Sequence, residues 1–381
     1  MLQASEGRRR VRALATEIGS KVDAVLCAAP ENIYFFSGFR TMLYTRFIGV
    51  LIRMDNPDEP TLIATTGDRR LIEDRVWSPT WVSRVAFHGT DPRPDVAPTP
   101  AAALAPLLAG VSRLGVDSLR LADLEEVQKA APGIEVVRLG GLIDGLKWRK
   151  GEQELGYLRQ ANRLAMQGIE TARAMLEAGP VTELEIAARL EYDARLGGAD
   201  GFGYPTLVSC GAKMNAPHSP ALPRKVEPGR PVRIAFGPTI EGYTADVVRT
   251  FCLEEPPSEL VRLQDAFLEA QEAVLGMIHP GVGVPELLAV VKQIYERRGV
   301  LDYWRNNIGH GLGLTIHEPP AIGGVSKATI EEGMVVAIEP SLMVQGFGGY
   351  AHCDVIAVTR TGFELLTPGL RGIVRAQRRG N

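Results

Sequence analysis

The segment NIGHGLGLTIHEP, residues 307–319, places two histidines and an acid among glycines and is the most informative stretch of the chain. Glycines beside His310 let the backbone approach a bound group closely. Two further segments combine acids with glycines in the same way, namely Ile234–Thr250 (IAFGPTIEGYTADVVRT) and Val336–Asp354 (VAIEPSLMVQGFGGYAHCD). Because one strand cannot surround an ion, a hard divalent metal needs Asp, His and Glu from strands far apart in sequence. The three segments therefore predict one polar site built from separate strands.

The surrounding sequence predicts an α+β domain over residues 146–381. Apolar residues at helical spacing predict a long helix over Lys150–Leu176, and Thr182 with Glu185 has the pattern of a capping box for the next helix. Further helices are predicted at Ser258–Ile278 and Val284–Arg298. The predicted strands are Thr206–Cys210, Val232–Gly237, Val247–Leu253, Val335–Glu339, Asp354–Thr359 and Phe363–Leu366. Paired helices followed by antiparallel strands indicate helices on one face of a curved sheet.

Residues 1–145 predict a separate α/β domain, as expected for a chain of 381 residues. A helix is predicted over residues 6–18. Short apolar runs bounded by turn residues then predict strands at Asp23–Ala28, Phe47–Arg53, Pro60–Thr65, Arg113–Val116 and Ile134–Arg138.

The bulk composition excludes several classes of protein. The formal net charge of −3 at pH 7 gives no reason to expect a nucleic acid or an anionic membrane as partner. The sequence contains no apolar run approaching the roughly 18 residues of a membrane span, and its N-terminus lacks the apolar core of a secretory signal. Four cysteines without metal-finger spacing predict reduced thiols in the cytoplasm.

The runs GHGLGLxxHExP at 309–320, IEP at 338–340 and GYxxDxxRT at 242–250 together resemble the C-terminal domain of the pita-bread family. This family includes creatinase, prolidase and aminopeptidase P. The match in order and spacing runs from about Leu146 to Thr367, and the N-terminal half fits the family's usual N-terminal domain. The resemblance implies an α/β N-terminal domain, an α+β pita-bread domain and an enzyme that hydrolyses C–N bonds.

The family pattern has five ligands for two metal ions, and the resemblance carries three of these positions onto Asp246, His310 and Glu339. The other two fall on Ala235, which cannot bind a metal, and on Cys353, whose soft thiolate does not replace a bridging carboxylate. We therefore expect a degenerate metal site. The usual two-metal mechanism, in which a water is activated between the ions, is not expected.

Creatinase works without metals, and the resemblance extends to its other site positions. Its catalytic histidine, a general base and acid, falls on His218. The aromatic and the arginine that hold the substrate carboxylate from the neighbouring subunit of a homodimer fall on Tyr44 and Arg46, and a guanidinium suits bidentate carboxylate recognition. Creatine is not the expected substrate, because the acids that hold its guanidinium fall on Val248 and His352.

The favoured hypothesis is a creatinase-like hydrolase without a metal cofactor. It would cleave a C–N bond (amide, amidine or cyclic imine) in a small carboxylate-bearing molecule. The expected catalytic residues are His218, His310, His317 and Glu339. The expected substrate contacts are Tyr44, Arg46, Asp246, His352 and Cys353.

Two alternatives stay open. One is a mononuclear metal-dependent prolidase-like peptidase or lyase that holds one divalent ion with Asp246, His310 and Glu339. The other is a non-catalytic binding module on the same fold. Cys353 is either a nucleophile or a small buried apolar residue. Because adjacent strand residues point to opposite faces, His352 and Cys353 are not expected to line the same pocket.

Overall fold

A computed structural model describes residues 2–40, 45–74 and 80–377 of the chain. The chain divides into two compact units, residues 1–146 and 147–381. The predicted fold class, an α/β unit followed by an α+β unit, is confirmed. In the described ranges, no helix combines the length and the apolar character needed to cross a membrane.

The first unit is built on a mixed sheet. Its strands are β1 (Ala24–Cys27), β2 (Gly49–Arg53), β3 (Thr61–Thr65), β4 (Arg84–His88), β5 (Val96–Ala97), β6 (Arg113–Val116) and β7 (Glu135–Arg138). Its helices are α1 (Ala4–Ile18), α2 (Pro30–Ser37), α3 (Arg69–Asp74), α4 (Pro100–Leu104), α5 (Leu121–Ala130) and α6 (Gly140–Lys147). The strand order is β5-β4-β3-β2-β1-β6-β7. Strand β1 runs antiparallel to β2 and parallel to β6, and its side chains are all buried, as its apolar run predicts.

The second unit combines long helices with several sheets. Its helices are α7 (Glu152–Ala178), α8 (Glu183–Leu196), α9 (Ser258–Met277) and α10 (Val284–Arg297). Its strands are β8 (Gly201–Phe202), β9 (Leu207–Cys210), β10 (Pro231–Phe236), β11 (Pro238–Ile240), β12 (Tyr243–Thr244), β13 (Val247–Leu253), β14 (Asn307–Gly311), β15 (Glu318–Gly323), β16 (Val335–Ile338), β17 (Leu342–Val344), β18 (Gly348–Tyr350), β19 (Asp354–Val358), β20 (Phe363–Leu365) and β21 (Val374–Ala376). Short 3-10 turns lie at Thr66–Asp68 in the first unit and at Gly211–Asn215 and Leu301–Tyr303 in the second.

Two of these sheets position the site. One has the order β21-β13-β10-β9 and the other the order β15-β14-β16-β19-β20. They meet where Val248 of β13 pairs with Cys353, directly before β19. Arg249, which is fully buried, reinforces this junction, because its guanidinium lies 2.9 Å from Asp354 Oδ1 and donates to the Cys353 carbonyl at 2.6 Å.

The helices stabilise these sheets by covering one face of each. Apolar side chains of α7 and α8 pack on β9, β10 and β13, and those of α9 and α10 pack on β14, β16 and β19. Helix α8 begins with the predicted capping box. The Thr182 hydroxyl accepts from the Glu185 amide at 3.1 Å, and the Glu185 carboxylate accepts from the Thr182 amide at 2.8 Å.

Candidate active site

Three separate strands bring Asp246, His310 and Glu339 together. Asp246 directly precedes β13, His310 lies in β14, and Glu339 directly follows β16. Strands β14 and β16 are neighbours, with His310 opposite Ala337. Gly309 allows their close approach, because its φ is +151° and a Cβ there would lie 1.8 Å from the Ala337 carbonyl oxygen.

The imidazole of His310 is the centre of this group. Its Nε2 lies 3.5 Å from Asp246 Oδ2 and 3.6 Å from Glu339 Oε1. Its Nδ1 lies 2.9 Å from the Gly311 carbonyl oxygen. A carbonyl can only accept, so Nδ1 carries the hydrogen and Nε2 faces the two carboxylates. This backbone contact fixes the orientation that a metal-ligating histidine requires.

Burial and mutual charge shift the pKa values of this group. Burial, reinforced by the charge of Glu339, raises the pKa of Asp246 to about 6. Burial alone would lower the pKa of His310, but Glu339 and Asp246 outweigh it and raise that pKa to about 9. The carboxylates of Asp246 and Glu339 therefore favour a positive charge at or beside His310 Nε2.

An apolar cluster lies beside this polar group, around the positions onto which the resemblance maps the two missing ligands. Ala235 is opposite Val248 in the pairing of β10 with β13, and both residues are buried. The cluster consists of Leu207, Ala235, Val248, Ala337, Ala351 and Cys353. The ring of Tyr204 packs against it, and the Tyr204 hydroxyl donates to Asp246 Oδ1 at 2.8 Å. The Tyr204 phenol therefore lies at the border between the polar group and the apolar cluster.

Cys353 is a fully buried free thiol. Burial, reinforced by the charge of Asp246, raises its pKa well above the ordinary value. Since the thiolate and not the thiol is the nucleophile, this environment favours a small packing residue.

His352 lies in a different environment from Cys353, as expected for neighbours in a strand. Its side chain has no exposed surface, its Nε2 lies 3.0 Å from Asp354 Oδ2, and its ring lies 6.0 Å from the Phe267 ring, centroid to centroid. Burial and the charge of Arg249 lower its pKa. The imidazole of His352 therefore lies in the interior of the second unit.

His317 and His218 are both exposed, and the role of His218 stays a prediction. The rings of His317 and His310 meet edge to face with their centroids 4.4 Å apart. Burial, followed by the charges of His310 and His218, lowers the pKa of His317. His317 is therefore an exposed imidazole in direct contact with the buried acid group.

Arg46 is exposed in the first unit, where a Cβ on Gly67 would lie 3.5 Å from its Nη1. Tyr44, the other predicted carboxylate contact, lies outside the described residues. The roles of these two residues stay predictions.

Sequence reasoning missed two polar residues of the site, Tyr204 and Arg233. Tyr204 belongs to an irregular segment between Gly203 and Pro205, which carries no periodic signal. Arg233 lies in β10, two residues before Ala235, and is only 6% exposed. A charged residue inside a buried apolar strand is a signal that could have identified it.

The residues present fit a metal ion in one half of the family's site. Asp246, His310 and Glu339 supply the oxygen and nitrogen donors that divalent ions take, whereas Ala235 and the protonated Cys353 supply none. In the part of the chain that the structure describes, His, Cys, Asp and Glu side chains do not form a preassembled group of three around a single point. The donor atoms available to an ion are His310 Nε2, Asp246 Oδ2 and Glu339 Oε1.

Comparisons with known proteins agree with this architecture. A family model described as metallopeptidase family M24 matches residues 156–360, and one described as the creatinase/prolidase N-terminal domain matches residues 8–147. The chain is 26% identical over 337 residues to the "Putative dipeptidase YkvY" of Bacillus subtilis, covering 88% of this chain and 91% of that protein. It is 29% identical over 268 residues to the "Xaa-Pro dipeptidase" of Pyrococcus horikoshii, covering 70% and 76%.

Solved structures give the same result. The prolidase from Pyrococcus horikoshii OT3 superposes with a TM-score of 0.85 at 25% identity, covering 95% of this chain and 99% of that one. An Xaa-Pro dipeptidase from Bacillus anthracis gives a TM-score of 0.84 at 25% identity, covering 98% and 100%. The resemblance to the pita-bread family is confirmed, and so is the prediction of a hydrolase that acts on C–N bonds.

The prediction of a reaction without a metal cofactor is wrong. The family model that covers residues 156–360 is one of metallopeptidases, and its relatives include Xaa-Pro dipeptidases. The prediction gave too much weight to the two missing ligands. Asp246, His310 and Glu339 retain the donor chemistry for an ion.

Proposed function

The chain belongs to metallopeptidase family M24, and from that premise we propose that it hydrolyses the C–N bond of small peptide-like carboxylic acids with one divalent ion instead of two. The convergence of Asp246 and Glu339 on His310 Nε2, at 3.5 and 3.6 Å, carries this proposal. Ion–ligand distances of about 2.0–2.2 Å in a tetrahedral site place neighbouring donors roughly 3.4 Å apart. The observed separations are close to that value.

Charge balance supports a single ion. The positions that fall on Ala235 and Cys353 carry two carboxylates in the family pattern, and their joint loss removes two negative charges. The carboxylates of Asp246 and Glu339 together balance one divalent cation. A second cation in the apolar cluster around Ala235 would be buried without anionic partners, at a high desolvation cost.

The bound ion would polarise the scissile carbonyl and lower the pKa of a water molecule. The chain's own residues have separate tasks. The Gly311 carbonyl holds the ring of His310, and the Tyr204 hydroxyl orients the carboxylate of Asp246. Exposed His317 faces the substrate as a hydrogen-bonding group. His218 accepts a proton as general base and returns it to the leaving nitrogen.

The substrate class follows from the site and from the relatives. Dipeptides are small, contain a C–N bond and end in a carboxylate, and two of the relatives are described as dipeptidases. We propose that Tyr44 and Arg46 bind this carboxylate from the neighbouring subunit of a homodimer. The buried free thiols at 27, 210, 252 and 353 fit the reducing cytoplasm. His352 is left out of the proposed site because its side chain has no exposed surface.

The direct test is a hydrolysis assay on a panel of Xaa-Pro and other dipeptides, each paired with its C-terminal amide. Metal-stripped protein is assayed alone and with Mn²⁺, Co²⁺ or Zn²⁺. We expect cleavage of free acids to depend on the added ion and to fall by about 10³-fold in kcat in His310→Ala, which removes an ion ligand and a catalytic contact.

His279→Ala is the matched control, because His279 is exposed and, among the described residues, its Nδ1 hydrogen-bonds only to the neighbouring Pro280 carbonyl, at 2.9 Å. This variant should retain full activity. Absence of C–N hydrolysis across the whole panel with every ion, in protein that is folded by circular dichroism, would refute the proposed function.

A further inference from the structure

Arg233 is a buried charged residue of this region to which the proposed reaction assigns no role. It lies in β10 with its side chain on the same face as that of Ala235, two residues further along the strand. It is opposite Thr250 of β13 and Ser209 of β9. Burying a guanidinium in the interior of a sheet costs free energy unless the group is hydrogen-bonded.

The hydrogen bonds of Arg233 go to the segment that carries His218. We call residues 211–220 the His218 loop. Arg233 Nη2 donates to the Pro217 carbonyl at 2.6 Å, and it lies 3.4 Å from the Ala216 carbonyl and 3.5 Å from Ser209 Oγ. Pro217 directly precedes His218. The guanidinium therefore holds the backbone next to the proposed general base.

A second anchor holds the two ends of the same loop. Lys213 Nζ lies 2.5 Å from Glu183 Oε2, and it donates to the carbonyls of Val208 at 2.9 Å and Pro220 at 2.5 Å. Glu183 is fully buried and belongs to the first turn of α8. The Glu183–Lys213 pair closes the loop, whereas Arg233 fixes its middle.

Arg233 also lies on the face of β10 that carries Ala235 and its apolar cluster. Burial lowers its pKa, and the charge of Glu339 acts in the opposite direction. Among the described residues, its Nε has no hydrogen-bond partner. One donor of a buried cation is thus left unsatisfied, which is unusual for a group that only stabilises the fold.

We infer that Arg233 is a positioning residue that holds the His218 loop and so sets His218 against His317 and the Asp246–His310–Glu339 group. The inference rests on the proposed function, in which His218 is the general base. A fixed loop keeps the imidazole within reach of the reacting atoms, and a displacement of about 1 Å can lower a rate by about 10²-fold.

The test is Arg233→Ala in the full-length metal-loaded protein, with and without millimolar guanidinium chloride. We expect kcat to fall by about 10²-fold with little change in KM, and guanidinium to restore a large part of kcat by filling the vacated space. Arg233→Lys, which keeps a cation but has fewer directed donors, should have an intermediate kcat. The control is Arg375→Ala, an arginine of the same sheet that is 52% exposed and pairs only with exposed Glu255 among described residues.

Hydrogen exchange of peptides from the His218 loop gives a second readout that needs no catalysis. We expect faster exchange in Arg233→Ala, reversed by guanidinium, and no change in Arg375→Ala. If the unmodified protein hydrolyses nothing, the proposed function fails while the exchange result still decides the role of Arg233. Unchanged exchange in the loop, or a loss of kcat that follows only the loss of folded protein and that guanidinium does not restore, would overturn the inference.

Discussion

The two halves of the candidate site are built on the same strands but have opposite chemistry. Asp246, His310 and Glu339 form the polar half, in which donor atoms converge on His310 Nε2. Ala235, Val248 and Cys353 belong to the apolar half, where small buried side chains and the ring of Tyr204 fill the space. The backbone that supports both halves is intact, since β10 still pairs with β13 and Val248 still pairs with Cys353.

This contrast shows that two family ligand positions can be replaced by apolar packing without loss of the fold. The apolar half is packed and uncharged, so it no longer needs a cation for its stability. The polar half keeps two buried or half-buried carboxylates, which are costly unless positive charge accompanies them. On the proposed function, the polar half holds one ion and the apolar half excludes a second.

Restoring the missing carboxylates is the change with the largest expected effect. Ala235→Asp places an unpaired carboxylate in the apolar half and should lower the free energy of unfolding of metal-stripped protein by about 3 kcal/mol. The double variant Ala235→Asp with Cys353→Glu should regain this stability when a divalent ion is added. Urea denaturation with chelator and with Mn²⁺ measures both effects. If Ala235→Asp leaves the free energy of unfolding unchanged in chelator, the apolar half is open to water.

The next largest effect is expected from the buried ion pair of Asp354 with Arg249, which makes the stability of the fold depend on pH. Burial would raise the pKa of Asp354, but His352 and Arg249 outweigh it and lower that pKa from 3.8 to about 2. A lowered folded-state pKa adds stability that is fully present above the unfolded value and is lost as pH falls from about 4 to about 2. The contribution is about 2 kcal/mol.

The pH dependence of unfolding, compared between the unmodified protein and Asp354→Asn, checks this. The asparagine variant should be less stable at pH 6 and should show a flatter stability profile between pH 4 and pH 2. Parallel profiles in the two proteins would show that Asp354 does not stabilise the junction of β13 and β19 through its charge.

Much of this architecture could be predicted from sequence. The strand predicted at Val247–Leu253 is β13 without change of bounds, because its seven residues are all buried and flanked by polar segments. The capping box at Thr182 and Glu185 was equally clear. The polar half of the site was predicted because its residues lie in motifs with fixed spacing.

Other features could not be predicted, for physical reasons. Strand β15 (Glu318–Gly323) contains Pro319 and Pro320, which argue against a strand until its edge position in the sheet is known. The contact of Tyr204 with Asp246 joins residues 42 positions apart and depends on an irregular segment. Packing around Ala235 depends on four strands at once, which no local pattern reports.

A smaller effect, on metal affinity, is expected at Tyr204, which lies at the border between the polar and apolar halves. Tyr204→Phe keeps the ring that packs on the apolar half and removes the hydroxyl that donates to Asp246. Loss of such an outer contact typically weakens metal affinity about 10-fold. Competition with a fluorescent chelator measures this affinity. An unchanged affinity would mean that Tyr204 belongs to the apolar half alone.

Cys353→Ala should have the smallest effect. Burial raises the pKa of the Cys353 thiol well above its ordinary value, which disfavours the nucleophilic thiolate. We expect kcat to stay close to that of the unmodified protein, with a slightly lower melting temperature from the lost side-chain volume. Loss of hydrolysis in a folded Cys353→Ala protein would instead assign the thiol a catalytic role.

The number of metal ions bound per chain tests the single-ion account most directly. Elemental analysis after gel filtration in a Mn²⁺- or Co²⁺-supplemented buffer should give one ion per chain in the unmodified protein and two in the double variant Ala235→Asp with Cys353→Glu. Two ions in the unmodified protein, or full hydrolysis by protein that holds none, would contradict it.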